Sequence, residues 1–538
     1  MRQPQFALVN ANILTMDNES RVADSIGIQG DRIIAVGDKA SVLDSLSPDT
    51  PIFDLGGATV LPGFIDVHTH VELITMSRHF WQDIRALDRP QILDEIRSRC
   101  STTKPGTWLV FQGTFSQDLP SRDELDRVAP DHPVAIRWTL HKFVLNAAAL
   151  EASCISEDTV APIGVRLQKN PDGTLNGVIE EGWDLVAAPA PEADALTDAL
   201  EETLRSLFIR NGVTTVHEIA ASTKGISALR TLAARGSIPR MGLLLTAGPG
   251  HQPLASASDA AFRGLGSGFG NDDIWLQGLK IFMDGGRDGA FRSDLVGKDA
   301  EKWGLLTRLY PTLVQELVEA TSHGVQVCTH AIGDLAQEIA VSAVERVHDL
   351  YPELDHRLRI EHFFNESFGT AQLKRLVAAG GIAVPNPGFV YAEPDEPERR
   401  QPQGASKYAL KTLRSIQGIL PGNSDTAGAQ PFTTNPWFTM RCMLELRNKN
   451  GVSVNDAERV DVHAALRAFT TDAAYATRQE TQKGSLEVGK LADVIVIGSD
   501  PHQTELAEFD KIDTKVSIIG GREVFGQLTD ITVKAAAL

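Results

Sequence analysis

The sequence predicts an α/β protein: a (β/α)8 TIM barrel, a small β-sandwich formed by both termini, and an α/β subdomain inserted after the first barrel strand. Three observations carry this reading. Apolar runs alternate with amphipathic stretches through the middle of the chain. Both ends read instead as short strands punctuated by turns. Residues of metal-ligating type close several of the central apolar runs. The implied boundaries are 1–59 and 483–538 for the two halves of the sandwich, 60–482 for the barrel, and about 77–205 for the insertion.

Taken in order, residues 6–14, 25–29 and 32–36 read as strands, with Gly30-Asp31 as a hairpin turn between the last two. The carboxyl end has matching runs at 491–498, 516–519 and 523–525, the last two separated by Gly520-Gly521. Neither end alone has enough strands for a stable sandwich, so the two are expected to pair. Eight runs between them are the barrel-strand candidates: 59–70, 213–219, 241–246, 276–282, 325–330, 358–362, 381–385 and 418–425. Segments such as 312–322 and 335–350 supply intervening helices. The gap from the first strand to the second is too long for one helix and must hold the insertion, with strand-like runs at 107–112 and 134–138. Residues 385–403 accumulate Pro, Glu and Arg and are expected to form a loop over the site.

A net charge of −19 excludes nucleic acid and anionic membrane as main partners, since both attract basic surfaces. The four cysteines are scattered, with no Cys-x-x-Cys pair, so a reducing cytoplasm is expected. Cys328, two residues before His330, reads as a small core residue. The amino terminus does not read as a signal peptide, and no run is long enough to span a bilayer. The expected partner is a small-molecule substrate, with a homo-oligomer possible.

Six residues of ligand type fall in order on the ends of the expected strands: His68, His70, Lys280, His330, His362 and Asp425. Alternate side chains of a strand share a face, so His68 and His70 can reach one divalent ion together. An isolated His-x-His pair is most often a chance occurrence in a turn, and the four further residues reverse those odds. Lys280 lies in an apolar strand, where a free ammonium is costly. It is either ion-paired, to Asp284 or Asp425, or carbamylated by CO2 into a metal-bridging carboxylate, and spacing leaves both open. Asp425 can touch a metal and take a proton from water. Glu218 competes with it as the base, while Glu361, next to His362, is expected to turn away from the lumen by strand alternation.

The chain resembles the amidohydrolase superfamily, in its N-substituted formamide deformylase-like branch. The resemblance rests on Leu-Pro-Gly-Phe-Ile-Asp-Val-His-Thr-His at 61–70, Leu-Lys-Ile-Phe-Met-Asp-Gly at 279–285, His-Ala-Ile-Gly-Asp at 330–334 and Arg-Ile-Glu-His at 359–362. It continues through Asn-Ser-Asp at 423–425, Ala-Ala-Leu-Arg-Ala-Phe-Thr at 464–470 and Lys-Gly-Ser-Leu-Glu-Val-Gly-Lys-Leu-Ala-Asp at 483–493. It implies one or two divalent ions, often zinc. His68 and His70 would hold the first, His330 and His362 the second, carbamylated Lys280 would bridge, and Asp425 would complete the first site and act as base. The implied reaction is hydrolysis of a small amide, formamide or lactam. Ester hydrolysis or decarboxylation on the same scaffold, and a non-catalytic binding or regulatory protein, are the alternatives. His141, in a His-followed-by-Asn motif of the branch, together with His217, Glu218, Phe115 and Trp183, are the candidate substrate contacts. The loops at 284–290 and 426–431 depart from the branch, which leaves the substrate open.

Overall fold

Seven apolar runs form one curled, all-parallel sheet whose strands neighbour one another in chain order. They are β1 (Phe64–Thr69), β2 (Val213–Ala220), β3 (Arg240–Thr246), β4 (Ile274–Phe282), β5 (Gln326–His330), β6 (Arg359–Glu361) and β7 (Ile382–Val384). This computed structural model describes residues 5–114, 117–138, 141–248, 254, 264–295, 303–365, 369–395, 407–426 and 431–531. Helices cover the outside of the sheet, among them Thr223–Arg235, Tyr310–Ser322, Asp334–Leu350 and Thr370–Ala378. Local chemistry sets their ends. The first starts at Ser222, whose hydroxyl accepts the Gly225 N–H, and stops at Gly236, whose φ of 67° costs a glycine little. Their apolar faces and the sheet share one large core that includes Leu229, Leu317, Val341 and Leu376. The arrangement fits a TIM-like barrel.

Two expected barrel strands differ from the reading of the sequence. The run at 59–70 is two strands, Thr59–Pro62 and Phe64–Thr69, broken at Gly63. A Cβ there would lie 2.2 Å from Thr214 atoms, so only glycine lets the chain cross from the terminal sheet into the barrel. The run at 418–425 is no regular strand. Pro421 has no N–H to give, and Asp425 has a left-handed φ of 41°. The segment still fills the eighth position. Gly422 O accepts from Val67 N, Asp425 N donates to His68 O at 3.0 Å, and Asn423 Nδ2 donates to Pro385 O beyond β7.

The termini form two further sheets, the first from amino-terminal strands alone and the second from both ends. One runs Arg32–Gly37, Ser25–Gln29, Gln5–Val9, Ile52–Asp54; the other runs Arg522–Phe525, Thr514–Ile519, Val494–Ile497, Thr59–Pro62, Asn12–Leu14, Val22–Ala23. Leu8, Ile26 and Ile28 from the first share a core with Val60, Val494 and Ile518 from the second. Between β1 and β2 lies a six-stranded mixed sheet from Gln82–Asp83 to Leu175–Glu180 and Arg166–Lys169, with its own apolar clusters. Among the described residues no helix is long and apolar enough to cross a membrane. Cys328 is fully buried against Ile219 and Leu244, where burial pushes its thiol up to about 12.

Candidate metal centre and active site

Asp425 is the hub of the cluster at the carboxyl ends of the strands. Its Oδ1 lies 3.3 Å from His70 Nε2 and 3.5 Å from His68 Nε2, and its Oδ2 lies 3.7 Å from His362 Nδ1. The ligand atoms of His68, His362 and Asp425 all fall within 4.8 Å of one another. The His330 ring stands 4.4 Å from that of His362, and Lys280 Nζ lies 3.4 Å from His68 Nε2. All six sequence-predicted ligands are thus brought together and buried.

Several groups behind the ligands set their orientation, and none of these roles was anticipated. Glu361 Oε2 accepts from His68 Nδ1 at 2.6 Å, which leaves the Nε2 lone pair facing the cluster. Arg359 Nε holds the other Glu361 oxygen at 2.8 Å. Burial alone would raise the Glu361 carboxyl, yet the charge of Arg359 and the hydrogen bond from His68 hold it well below the usual carboxylate range. Alternation therefore puts Arg359 and Glu361 inside, contrary to expectation. His362 joins them only because β6 ends at Glu361 and His362 takes a left-handed φ of 67°. Asn386 donates to Asp425 Oδ2 at 3.3 Å and to Asn423 Oδ1 at 2.7 Å, and Asn365 donates to Asn386 Oδ1. Gly285 O faces His330 Nε2 at 3.3 Å.

Electrostatics favour a cation in this cluster. Burial keeps the imidazoles neutral: His70 is lowered to about 4, and His68, His330 and His362 also fall below the ordinary histidine value. Burial likewise lowers Lys280, which has no carboxylate in ion-pair contact among the described residues. Asp284 is not its partner, since its oxygens accept from the backbone N–H groups of Phe291, Ile332 and Gly333. His362 Nδ1 and Asp425 Oδ1 are buried without a hydrogen-bond partner. Orphan atoms of nitrogen and carboxylate type converging on one point fit a divalent ion.

Of the expected substrate contacts, His141 is in place. Its ring lies 5.1 Å from that of His330, and its Nδ1 is 2.9 Å from both oxygens of Glu181. His217 and Glu218 are not at the mouth. Glu218 is spent on the amino terminus of α1 (Val71–His79), where it accepts from Val71 N, Glu72 N and Thr69 Oγ1. His217 sits deeper, Nδ1 against Asp66 O at 3.0 Å and its ring 5.8 Å from Trp275. Both are fully buried, Glu218 against the start of α1 and His217 against Asp66 O and Trp275. Phe115 and the side chain of Trp183 lie outside the described residues.

The amidohydrolase family model, Amidohydro_3, matches residues 52–525. The chain belongs to the amidohydrolase family. It is a hydrolase of carbon–nitrogen bonds other than peptide bonds. It is 26% identical to N-substituted formamide deformylase of Arthrobacter pascens, over 96% of this chain and 97% of that protein. It is also 26% identical to Protein LONG AFTER FAR-RED 3 of Arabidopsis thaliana, over 96% of this chain and 91% of that one. In structure it is similar to an uncharacterized metal-dependent hydrolase from Pyrococcus horikoshii OT3, with a TM-score of 0.72 and 23% identity over 94% of this chain and 99% of that one.

Proposed function

We propose that this amidohydrolase hydrolyses a small amide, formamide or lactam, with water as the nucleophile. The observation that carries the reading is Asp425, a carboxylate within 3.7 Å of three imidazoles at the mouth of the sheet. His68, His70, His330, His362 and Asp425 would hold one or two divalent ions, zinc by the predominance of imidazole nitrogen. Such an ion lowers the pKa of water and draws charge from the acyl oxygen. Asp425 takes the proton of the attacking water and returns it to the departing amine nitrogen. Asn386 keeps Asp425 aimed, and Glu361 keeps His68 aimed. The similarity to a formamide deformylase supports the amide class.

Lys280 we assign as a carbamate: its neutral amine attacks CO2, loses a proton, and becomes a carboxylate able to bridge two ions. Its depressed pKa and its position beside His68 support this, because a free ammonium there would repel a cation. We further read residues 1–59 and 483–538 as one sandwich, 60–482 as the catalytic unit with 77–205 inserted, and the cytoplasm as its location. The shared core of the terminal sheets supports the first point. The test of function is turnover of an amide and ester panel by protein reconstituted with zinc, manganese or cobalt. Amide cleavage is expected; esters alone being cleaved would overturn the reading.

A further inference from the structure

The insertion sends one pair of side chains to the rim of the cluster. His141 keeps 14% of its side-chain surface exposed, against 5% or less for His68, His70, His330 and His362. It is the imidazole of the cluster that a substrate reaches most easily. Behind it Glu181 is 2% exposed and engaged on two sides, taking His141 Nδ1 at 2.9 Å and the Gly286 N–H at 3.3 Å. The barrel loop is shaped to this pair. A Cβ on Gly286 would lie 2.6 Å from His141 Cδ2, and one on Gly285 would lie 2.8 Å from Glu181 Oε1. The Gly-Gly at 285–286 is therefore the seat on which the insertion docks.

Resting on the amide reading above, we propose that Glu181 is a positioning residue that fixes His141 as the Nδ1–H tautomer, so that Nε2 accepts the N–H of a secondary amide. A carboxylate that takes the Nδ1 and Gly286 N–H groups accepts hydrogen bonds, so Nδ1 carries a proton, and an imidazole with one proton on Nδ1 presents its lone pair at Nε2. A secondary amide offers an N–H to that lone pair, and an N,N-disubstituted amide offers none. A site built around such a bond rejects the analogue that lacks it.

The experiment compares kcat/KM for a secondary amide and its N-methylated tertiary counterpart in wild type, Glu181→Gln and Glu181→Asp, each with its metal content measured. Glutamine offers Nδ1 an NH2 and reverses the tautomer, as an amide in place of the carboxylate does in serine-protease triads. The secondary-amide value should fall roughly tenfold or more, and the tertiary value should stay within about threefold, the scale of one hydrogen bond. Glu181→Asp should recover part of the loss. Nitrogen-15 shifts of His141 in metal-free protein supply a readout apart from activity: protonated Nδ1 in wild type, protonated Nε2 in Glu181→Gln. Equal losses on both substrates, a wild type that treats them alike, or Nε2–H in wild type overturns the proposal while leaving amide hydrolysis standing. Failure of wild type to cleave either amide overturns the amide reading and the substrate half of this proposal with it, and the nitrogen-15 shifts then decide the tautomer alone.

Discussion

The two ends of the barrel lumen hold similar residue types and treat them in opposite ways. At the floor, Trp275 Nε1 donates to Gln277 Oε1, Gln277 Nε2 donates to Gln326 Oε1 and Thr477 O, and Gln326 Nε2 donates to Arg357 O and Ala476 O. Those polar groups largely satisfy one another, which fastens the strands together. At the mouth, the ligand atoms of His68, His70, His362 and Asp425 converge at 3.3–3.7 Å, with His362 Nδ1 and Asp425 Oδ1 left unsatisfied. The histidine at the floor is His217, and those at the mouth are the proposed metal ligands. What separates the two is the carboxylate: Asp425 stands against three imidazoles at the mouth, whereas His217, whose Nε2 is also without a hydrogen-bond partner, has only a backbone oxygen and the Trp275 ring beside it.

Metal removal should show the contrast most sharply. Chelation is expected to abolish turnover, and added zinc to restore it, while substitutions at the floor leave zinc affinity unchanged; a chelated protein that keeps its activity would end the metal reading. Asp425→Asn comes next. It keeps the shape of the side chain and removes the base, so turnover should drop by roughly 100-fold or more. Its metal content should stay close to wild type, held by the histidines and Lys280. Glu218→Gln provides the control, because that carboxyl caps α1: melting temperature should drop and turnover per folded enzyme should persist. Near-normal turnover in Asp425→Asn with a dead Glu218→Gln would reverse the two roles.

Glu361→Gln should have a smaller effect, since it acts on the metal through His68. Losing the carboxylate behind a ligating histidine costs roughly 10–100-fold in metal affinity, read by competition with a zinc-sensitive dye. Excess zinc should then recover most of the turnover. An unchanged zinc affinity would mean that Arg359 and Glu361 are a structural ion pair only.

That pair also marks where the sequence stopped being legible. His68, His70, Lys280, His330, His362 and Asp425 were readable because each closes an apolar run, and strand ends are where a barrel gathers its reacting groups. Alternation, applied to Arg-Ile-Glu-His at 359–362, chose His362 over Glu361. The fold keeps both by ending β6 at Glu361 and giving His362 a positive φ, an event no spacing rule announces. The spacing of Arg359 and Glu361, two residues apart with opposite charges in an apolar strand, was the available clue to a buried pair. His217 and Glu218 failed for a related reason. They were placed at the mouth as the end of β2, yet Glu218 turns to the start of α1 and His217 to Asp66 O and Trp275. Glu181 and the three asparagines carried no local signal, since their partners lie on other strands and in the insertion.

The smallest expected effect belongs to the floor and concerns pH. His217 is fully buried, and burial lowers it from 6.5 to about 3, so it is folded as the neutral ring. In the unfolded chain it takes up a proton once the pH passes below 6.5. A depressed histidine pKa therefore contributes stability that is fully present above pH 6.5 and is lost as the pH falls towards 3. Between neutrality and a pH two units below the unfolded value the loss is about 3 kcal/mol. The measurement is urea unfolding of metal-free wild type and His217→Gln at both ends of that window. Glutamine does not titrate there, so the wild type should lose about 3 kcal/mol more than the variant, while the other buried groups titrate equally in both and cancel. His217→Gln will be the less stable protein at neutral pH, through its altered packing on Trp275 and the lost bond to Asp66 O. The difference of differences does not depend on that offset. Parallel losses in the two proteins would show that His217 accepts a proton in the fold and that burial does not hold it neutral.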